Sequence, residues 1–118
     1  MPKDWSDKIV IANLSDEPEL TEDLAQLLAS TRESSDKHVV LDMSGVSYLN
    51  SSHLAQLLRL RRQVTENSCQ LHICSVRDPV WSVMMITGLD KVFDFYEDKV
   101  TAITSLQLED QRREASGG

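Results

Sequence analysis

Two adjacent serines, Ser51 and Ser52, stand where an apolar run gives way to a leucine-rich helical run. Backbone N–H groups converge in the first turn of a helix, and the helix dipole favours negative charge there. A serine in this position can be presented to a kinase, and the helix start can hold a phosphate. The same stretch also suits a structural role, because Asn50, Ser51 and Ser52 are all common N-cap residues. The residues alone therefore leave a phosphorylation site and a plain helix cap both open.

Cysteine and histidine side chains raise the alternative of a metal site. The candidate ligands are Cys69, His72, Cys74 and His53. Cys69 falls in a predicted turn, whereas His72 and Cys74 share one face of a predicted strand. Their spacing matches no known set of four tetrahedral ligands, so we expect neither a metal nor another cofactor. Two cysteines are also too few for a disulfide framework, and we expect both thiols to be reduced.

Ser51 and His53 could also suggest a nucleophile with its base. Their side chains are expected to leave the chain in different directions, and the sequence has no Gly-x-Ser-x-Gly elbow. With only four glycines, the chain has no glycine-rich phosphate loop either. We therefore expect that the protein is not an enzyme.

The composition is that of one folded domain of 118 residues, of which 41% are hydrophobic. No apolar run approaches the roughly 20 residues that cross a bilayer. Met1 to Trp5 lack the features of a signal peptide, so we expect a cytoplasmic protein without membrane insertion. The net charge of −7 argues against nucleic acid as the main partner, although Arg59, Arg61 and Arg62 form a local basic cluster.

Strand and helix patterns alternate along the chain. The predicted strands cover residues 8–14, 38–43, 70–76 and 92–96, and the predicted helices cover about residues 21–33, 51–66, 78–87 and 98–108. This alternation predicts an α/β fold with a mainly parallel sheet and right-handed crossovers. We expect the domain to span residues 1–108, and residues 109–118 to form a polar, disordered tail.

Individual residues mark the ends and faces of these helices. Thr21 and Asp78 are the predicted N-caps of the first and third helices, and Gly88 is the predicted C-cap of the third. In the second helix, Leu58 is one of the leucines expected to face inward. Val100 has the same expected role in the last helix.

One stretch of the chain resembles the signature of the STAS domain, the fold of bacterial anti-sigma factor antagonists. It runs from Val39 to Ser52 and reads VVLDMSGVSYLNSS. Leu71 to Cys74 is similar to the strand that follows in that family, and Thr87 to Phe93, TGLDKVF, is similar to a later motif. The similarity covers roughly residues 8–108. It implies one STAS-like domain with a mainly parallel sheet of four to five strands and about four helices.

The resemblance also implies partner switching through a single serine. Anti-sigma factor antagonists are phosphorylated on the first serine of an Asp-Ser-Ser-Gly-type motif, and that position is Ser51 here. The unphosphorylated form binds a serine-kinase anti-sigma factor and frees the sigma factor, whereas the phosphorylated form cannot bind until a phosphatase resets it. In this sequence, Asn50 replaces the acid before the serine pair, and His53 replaces the glycine after it. An exposed His53 would either crowd a docking partner or contact a phosphate.

We expect a partner-binding face that combines this junction with residues of two helices. Its predicted members are Asn50, Ser51, Ser52, His53, Arg59, Trp81 and Met85. Trp81 and Met85 lie four residues apart, off the helix face that carries Val83. They therefore either extend the core or form an apolar patch for a partner or for a second copy of the chain.

Two further functions stay open at this point. The replacements at Asn50 and His53 favour a non-phosphorylated accessory or scaffold subunit of a transporter or signalling complex. The strand ends of a parallel sheet also offer a crevice in which a ligand can bind.

Overall fold

Four strands and four α-helices alternate along the chain in the computed structural model, which describes residues 8–33 and 37–117. The side chains of residues 109–117 lie outside this description. The elements are β1 (Ile9–Ser15), α1 (Glu19–Glu33), β2 (His38–Gly45), α2 (Ser51–Glu66), β3 (Leu71–Cys74), α3 (Asp78–Thr87), a 3₁₀ turn (Leu89–Lys91), β4 (Asp94–Tyr96) and α4 (Lys99–Gly117).

The described strands form one sheet in the order β1-β2-β3-β4, and every neighbouring pair is parallel. The register places Val39 of β2 opposite Leu71 of β3, and Leu41 opposite Ile73. The predicted α/β fold with a mainly parallel sheet is therefore confirmed. Because parallel strands all end at the same edge of a sheet, the segments that follow the four strands come together there.

The sheet separates two hydrophobic layers of unequal size. On one face, α1, α2 and α3 cover a large cluster that includes Val39, Leu41 and Ile73. On the other face, α4 covers a smaller cluster through side chains such as Ala102. Residues 38–43 of β2 are buried throughout, as the unbroken apolar run in this strand predicts for a strand covered on both faces.

Two helix starts differ from the sequence prediction. α1 begins at Glu19 rather than after Thr21, because the Glu17 carboxylate accepts the Thr21 N–H at 3.2 Å and so caps the helix from an earlier position. α3 begins at Asp78 itself, with Arg77 as its N-cap and without a capping side-chain hydrogen bond. The assignments of Thr21 and Asp78 as N-caps are therefore wrong.

The end of α3 confirms the predicted glycine cap. Gly88 has a φ of +80°, in the left-handed region that favours glycine, and its N–H donates to the Met85 carbonyl at 3.2 Å. The chain then forms the 3₁₀ turn, so β4 begins at Asp94 rather than at Val92.

The inward faces of α2 and α4 differ from the expected ones. Leu57 and Leu60 are fully buried, whereas Leu58 is 40% exposed. The buried face of α2 therefore contains Leu57 and Leu60 but not Leu58. In α4, Val100 is 73% exposed and the neighbouring Ala102 meets the sheet instead. The inward placement of Leu58 and Val100 is therefore wrong.

The backbone of α4 is helical to Gly117, beyond the predicted helix end near residue 108. Because the side chains beyond Leu108 are not described, the separate tail at residues 109–118 stays a prediction. Residues 1–7 of the predicted domain also lie outside the described residues. Within the described part of the chain, no helix is both long enough and apolar enough to cross a membrane.

Candidate functional site

A short loop, residues 46–50, carries the chain from the end of β2 to the start of α2. Val46 and Leu49 are buried and anchor the loop to the core, whereas Ser47 and Tyr48 between them are exposed. This alternation fixes where α2 starts at the carboxyl edge of the sheet while leaving part of the loop on the surface.

Asn50 is the N-cap of α2 and forms a reciprocal capping box with His53. The His53 N–H donates to the Asn50 Oδ1 at 2.9 Å, and the Asn50 N–H donates to the His53 Nδ1 at 3.1 Å. These bonds satisfy two backbone N–H groups at the helix start, where intrahelical partners are missing. His53 therefore belongs to the cap.

The His53 ring is buried, with 1% of its surface exposed. Because Nδ1 accepts a hydrogen bond, the ring proton is on Nε2, which donates to the Glu17 carboxylate at 2.5 Å. His53 is therefore not exposed, and the condition under which it would crowd a partner or contact a phosphate is not met. Both ring nitrogens are engaged, so neither is available as a base for Ser51.

Glu17 joins the starts of two helices. Besides the bond from His53, its carboxylate accepts the backbone N–H and the hydroxyl of Thr21 in the first turn of α1. The pKa of Glu17 lies below its ordinary value of 4.5, chiefly because of the Thr21 hydrogen bond and next because of the one from His53. At neutral pH, Glu17 is therefore an ionised acceptor shared by α1 and α2.

Asp16 holds the loop before α2 from the same side. Its Oδ1 accepts the Ser47 N–H at 2.9 Å, and its Oδ2 accepts the Ser47 hydroxyl at 2.7 Å. These bonds are the main reason why the pKa of Asp16 is lowered, and the charge of Arg77 makes a smaller contribution. The turn after β1 thus fixes the loop before α2 through Asp16, and the start of α2 through Glu17.

Ser51 is the first residue of α2, and its side chain is exposed. Among the residues that the structure describes, the hydroxyls of Ser51 and Ser52 have no hydrogen-bond partner. Asn50 therefore caps the helix and Ser51 does not, whereas phosphorylation of Ser51 stays a prediction. The first turn of α2 contains no acidic residue, so added negative charge would meet the positive end of the helix dipole.

The other predicted partner-binding residues lie on α2 and α3. Arg59 is exposed on α2. On α3, Met85 is 53% exposed and its neighbour Ile86 is 84% exposed. Trp81 is half-buried, because its ring packs edge-on against Phe95 with the ring centroids 5.0 Å apart. Trp81 thus extends the core, whereas Met85 contributes to an exposed apolar patch.

The candidate metal ligands take part in packing. No group of three or more His, Cys, Asp or Glu side chains in the described residues could hold a metal ion. Cys69 and Cys74 are buried free thiols, and burial is the main reason why the pKa of Cys74 is raised. His72 lies beneath α4, where its ring is 4.6 Å from that of Tyr96 and its Nε2 is 3.0 Å from the Gln70 side-chain oxygen.

Three parts of the site, Asp16, Glu17 and Ser47, were missed from the sequence. The capping box itself had a detectable signal, because a good N-cap residue is followed three positions later by a side chain that can accept a hydrogen bond. No local signal marked the contacts of Asp16 and Glu17. Asp16 lies 31 positions before its partner in the loop, and Glu17 lies 36 positions before His53.

Comparison with known protein families gives one match over most of the chain. The family model described as STAS domain matches residues 8–102, which include all four described strands. An anti-sigma F factor antagonist from Paenibacillus polymyxa is 26% identical over 72 residues, which are 61% of this chain and 62% of that protein. The match thus spans less than two thirds of that relative's length.

Solved structures share the fold. An anti-sigma-factor antagonist (STAS) domain protein from Planctomyces limnophilus gives a TM-score of 0.74 at 22% identity, over 84% of this chain and 91% of that chain. A crystal structure of a Thermotoga maritima protein gives a TM-score of 0.70 at 17% identity, over 90% of this chain and 93% of that chain. At these identities, the likeness establishes the architecture.

Proposed function

Because this chain belongs to the STAS domain family, we propose that it acts as an anti-sigma factor antagonist-like regulator of transcription. In this proposal, it binds a serine-kinase anti-sigma factor through the surface around Ser51, and phosphorylation of Ser51 ends that binding. A phosphatase then restores the binding form. The protein works in the cytoplasm as a binding partner, without a cofactor and without catalysis of its own.

The observation that carries the proposal is the division of roles at the start of α2. Asn50 caps the helix and His53 completes the capping box, while the exposed Ser51 hydroxyl has no hydrogen-bond partner among the described residues. A kinase can therefore modify Ser51 without removing a bond that holds the helix. This arrangement suits a residue whose state changes while the fold stays the same.

The charge and size of a phosphate on Ser51 are the physical basis of the proposed switch. A phosphate adds about −1.5 to −2 charges and three acceptor oxygens. The start of α2 tolerates this charge, because its first turn lacks acidic side chains and its dipole attracts anions. A partner surface that fits a neutral hydroxyl would instead meet a bulky anion. Binding can thus be lost through a local clash, without refolding of this domain.

We infer that the partner-binding face is built from the exposed residues around Ser51 and from the apolar patch on α3. Its proposed members are Tyr48, Asn50, Ser51, Ser52, Leu58, Arg59 and Met85. Tyr48 is 63% exposed and Leu58 is 40% exposed, so the loop and α2 offer apolar area beside the serines. His53 and Trp81 also belonged to the predicted face, but His53 is buried and the Trp81 ring packs against Phe95, so neither is a proposed contact residue.

The test uses the purified protein, ATP and a candidate kinase anti-sigma factor encoded near its gene. We expect phosphate on the wild type and on Ser52→Ala, and none on Ser51→Ala, by intact mass and peptide mapping. Ser51→Ala should bind the kinase, whereas Ser51→Asp should not. Absence of phosphate from the wild type, together with wild-type binding by Ser51→Asp, would remove the switch.

A second function is an accessory or scaffold subunit of a transporter or signalling complex. The hydrogen bonds among Asn50, His53 and Glu17 favour it, because they give both replaced positions a structural role that needs no phosphorylation. Recovery of a transport ATPase in a pull-down, with Ser51 unmodified, would support this function.

A homodimer through the patch of Met85 and Ile86 would appear in sedimentation velocity and would weaken in Met85→Ser.

A further inference from the structure

A cleft of about 600 Å³ opens at the carboxyl ends of β3 and β4, and its lining includes no residue of the loop before α2 or of α2 itself. Its lining residues are Val76, Trp81, Phe95, Tyr96, Glu97 and Asp98. This edge is where parallel α/β sheets bind ligands, because the loops that leave the strands form a crevice there. The side chains at this cleft include the rings of Trp81 and Phe95 and two carboxylates.

The aromatic wall is held in place by its neighbours. Trp81 and Phe95 meet edge to face at 5.0 Å and 86°, and Phe93 packs against Phe95 from behind at 6.3 Å. The Tyr96 ring points to the opposite face of the sheet, where it lies 4.6 Å from the His72 ring and its hydroxyl is 3.0 Å from the Ser105 hydroxyl. Trp81 and Phe95 are both only half-buried, so part of their surface is available to a ligand without rearrangement.

Negative charge surrounds these rings. Glu97 and Asp98 are exposed at the mouth of the cleft. Asp98 accepts the Thr101 N–H at 2.8 Å, and this bond is the main reason why the pKa of Asp98 is lowered. Asp98 therefore carries its charge at neutral pH.

The nearest basic side chains face other acceptors. Lys99 follows Asp98, but its Nζ lies 2.7 Å from the Asn13 Oδ1 and 3.5 Å from the Asp42 Oδ2. Arg77 follows Val76, and its charge acts on Asp16. The described lining of the cleft includes no base, and its two charged residues are both acidic.

We propose that this cleft binds an organic cation of the guanidinium or alkylammonium type. Aromatic faces attract such cations, and nearby carboxylates add Coulomb attraction and accept N–H bonds. The same charges repel phosphates, so the strand-end crevice expected for a parallel sheet does not suit a nucleotide here. The cation can come from a free small molecule or from an arginine or lysine side chain of a protein partner. The site is independent of the proposed switch at Ser51.

The test is an NMR titration of the full chain with agmatine at constant ionic strength. We expect saturable shifts of the Trp81 indole and Phe95 ring resonances, with a dissociation constant on the order of millimolar. Glu97→Gln removes one cleft charge from an exposed position and should weaken binding by about threefold or more. Glu22→Gln is the matched control, since it removes the same charge from the exposed surface of α1 and should bind like the wild type.

Unchanged cleft resonances with agmatine would overturn the proposal, and so would equal weakening by Glu97→Gln and Glu22→Gln. Parallel titrations with a blocked Gly-Arg-Gly peptide and with propylguanidine, which carry one positive charge each, distinguish the two sources. Tighter binding of the peptide assigns the cleft to a partner's side chain, and tighter binding of propylguanidine assigns it to a small molecule. Phosphorylation assays of the Glu97→Gln variant should match the wild type, so failure here leaves the switch proposal untouched.

Discussion

Replacing His53 with alanine tests whether the capping box holds the start of α2. The His53 ring is 1% exposed and its Nδ1 accepts the Asn50 N–H at 3.1 Å. Loss of a hydrogen bond of this kind costs about 1 kcal/mol, and truncation of the buried ring adds roughly 1–2 kcal/mol. We therefore expect the free energy of unfolding to fall by about 2–3 kcal/mol, which corresponds to a loss of about 10 °C in Tm.

Urea unfolding followed by circular dichroism measures this loss, and two conservative variants divide it. His53→Asn places an oxygen near the position of Nδ1 and keeps the bond to Asn50. His53→Gln places an amide nitrogen near the position of Nε2 and keeps the donor to Glu17. Each should lose less stability than His53→Ala. Glu17→Gln should matter less in the His53→Asn background than in the wild type, because the two changes remove one interaction.

The reasoning fails if His53→Ala unfolds within about 0.5 kcal/mol of the wild type, the range of an ordinary surface substitution. It also fails if His53→Asn and His53→Ala are equally destabilised, because the bond to Asn50 would then contribute nothing. If His53→Asn is phosphorylated at the wild-type rate, the substitution changes the stability of the protein without changing the accessibility of Ser51.

Three further predictions follow from the same structure. The pKa of Glu17 in the folded protein lies below its ordinary value of 4.5, so the ionised carboxylate stabilises the fold. This contribution to the free energy of unfolding is present above pH 4.5 and is lost as the pH falls through the pKa of the folded protein. Urea unfolding at a series of acid pH values should show this loss, and Glu17→Gln should flatten it. Gly45→Ala should lower the free energy of unfolding by about 1–3 kcal/mol, because the added Cβ would lie 2.7 Å from the Leu14 carbonyl oxygen. An unchanged Tm in thermal unfolding would contradict this. Cys69 and Cys74 are buried, so Ellman's reagent should label them rapidly only in urea, and fast labelling of the native protein would contradict their burial.

The architecture was readable from the sequence because local patterns report it directly. The apolar run at residues 38–43 lacks the alternation of a half-exposed strand, and that strand is indeed buried on both faces. Gly88 marked the end of α3 because only glycine adopts its positive φ readily. Such signals depend on the residue and its immediate neighbours, so no knowledge of the fold is needed to use them.

The site was less predictable because its decisive contacts are long-range. Nothing near Glu17 in the sequence indicates a bond to His53, and a histidine at the start of a helix is ordinarily expected to face solvent. Leu57 and Leu58 illustrate a related difficulty, because adjacent residues on a helix point about 100° apart and here only Leu57 is buried. Which of them is buried depends on how the helix is rotated against the layer below, and tertiary packing sets that rotation.

The order of the described strands in the sheet is the same as their order in the chain. Each new strand therefore joins the edge left by its predecessor, and no strand has to insert between two that are already paired. A chain leaving the ribosome can accordingly add one strand and helix at a time to a growing template. Contacts between consecutive units also keep loop closures short, which favours rapid folding. On this route α4 arrives after the other three described helices, and its docking covers the strand face that those helices leave open.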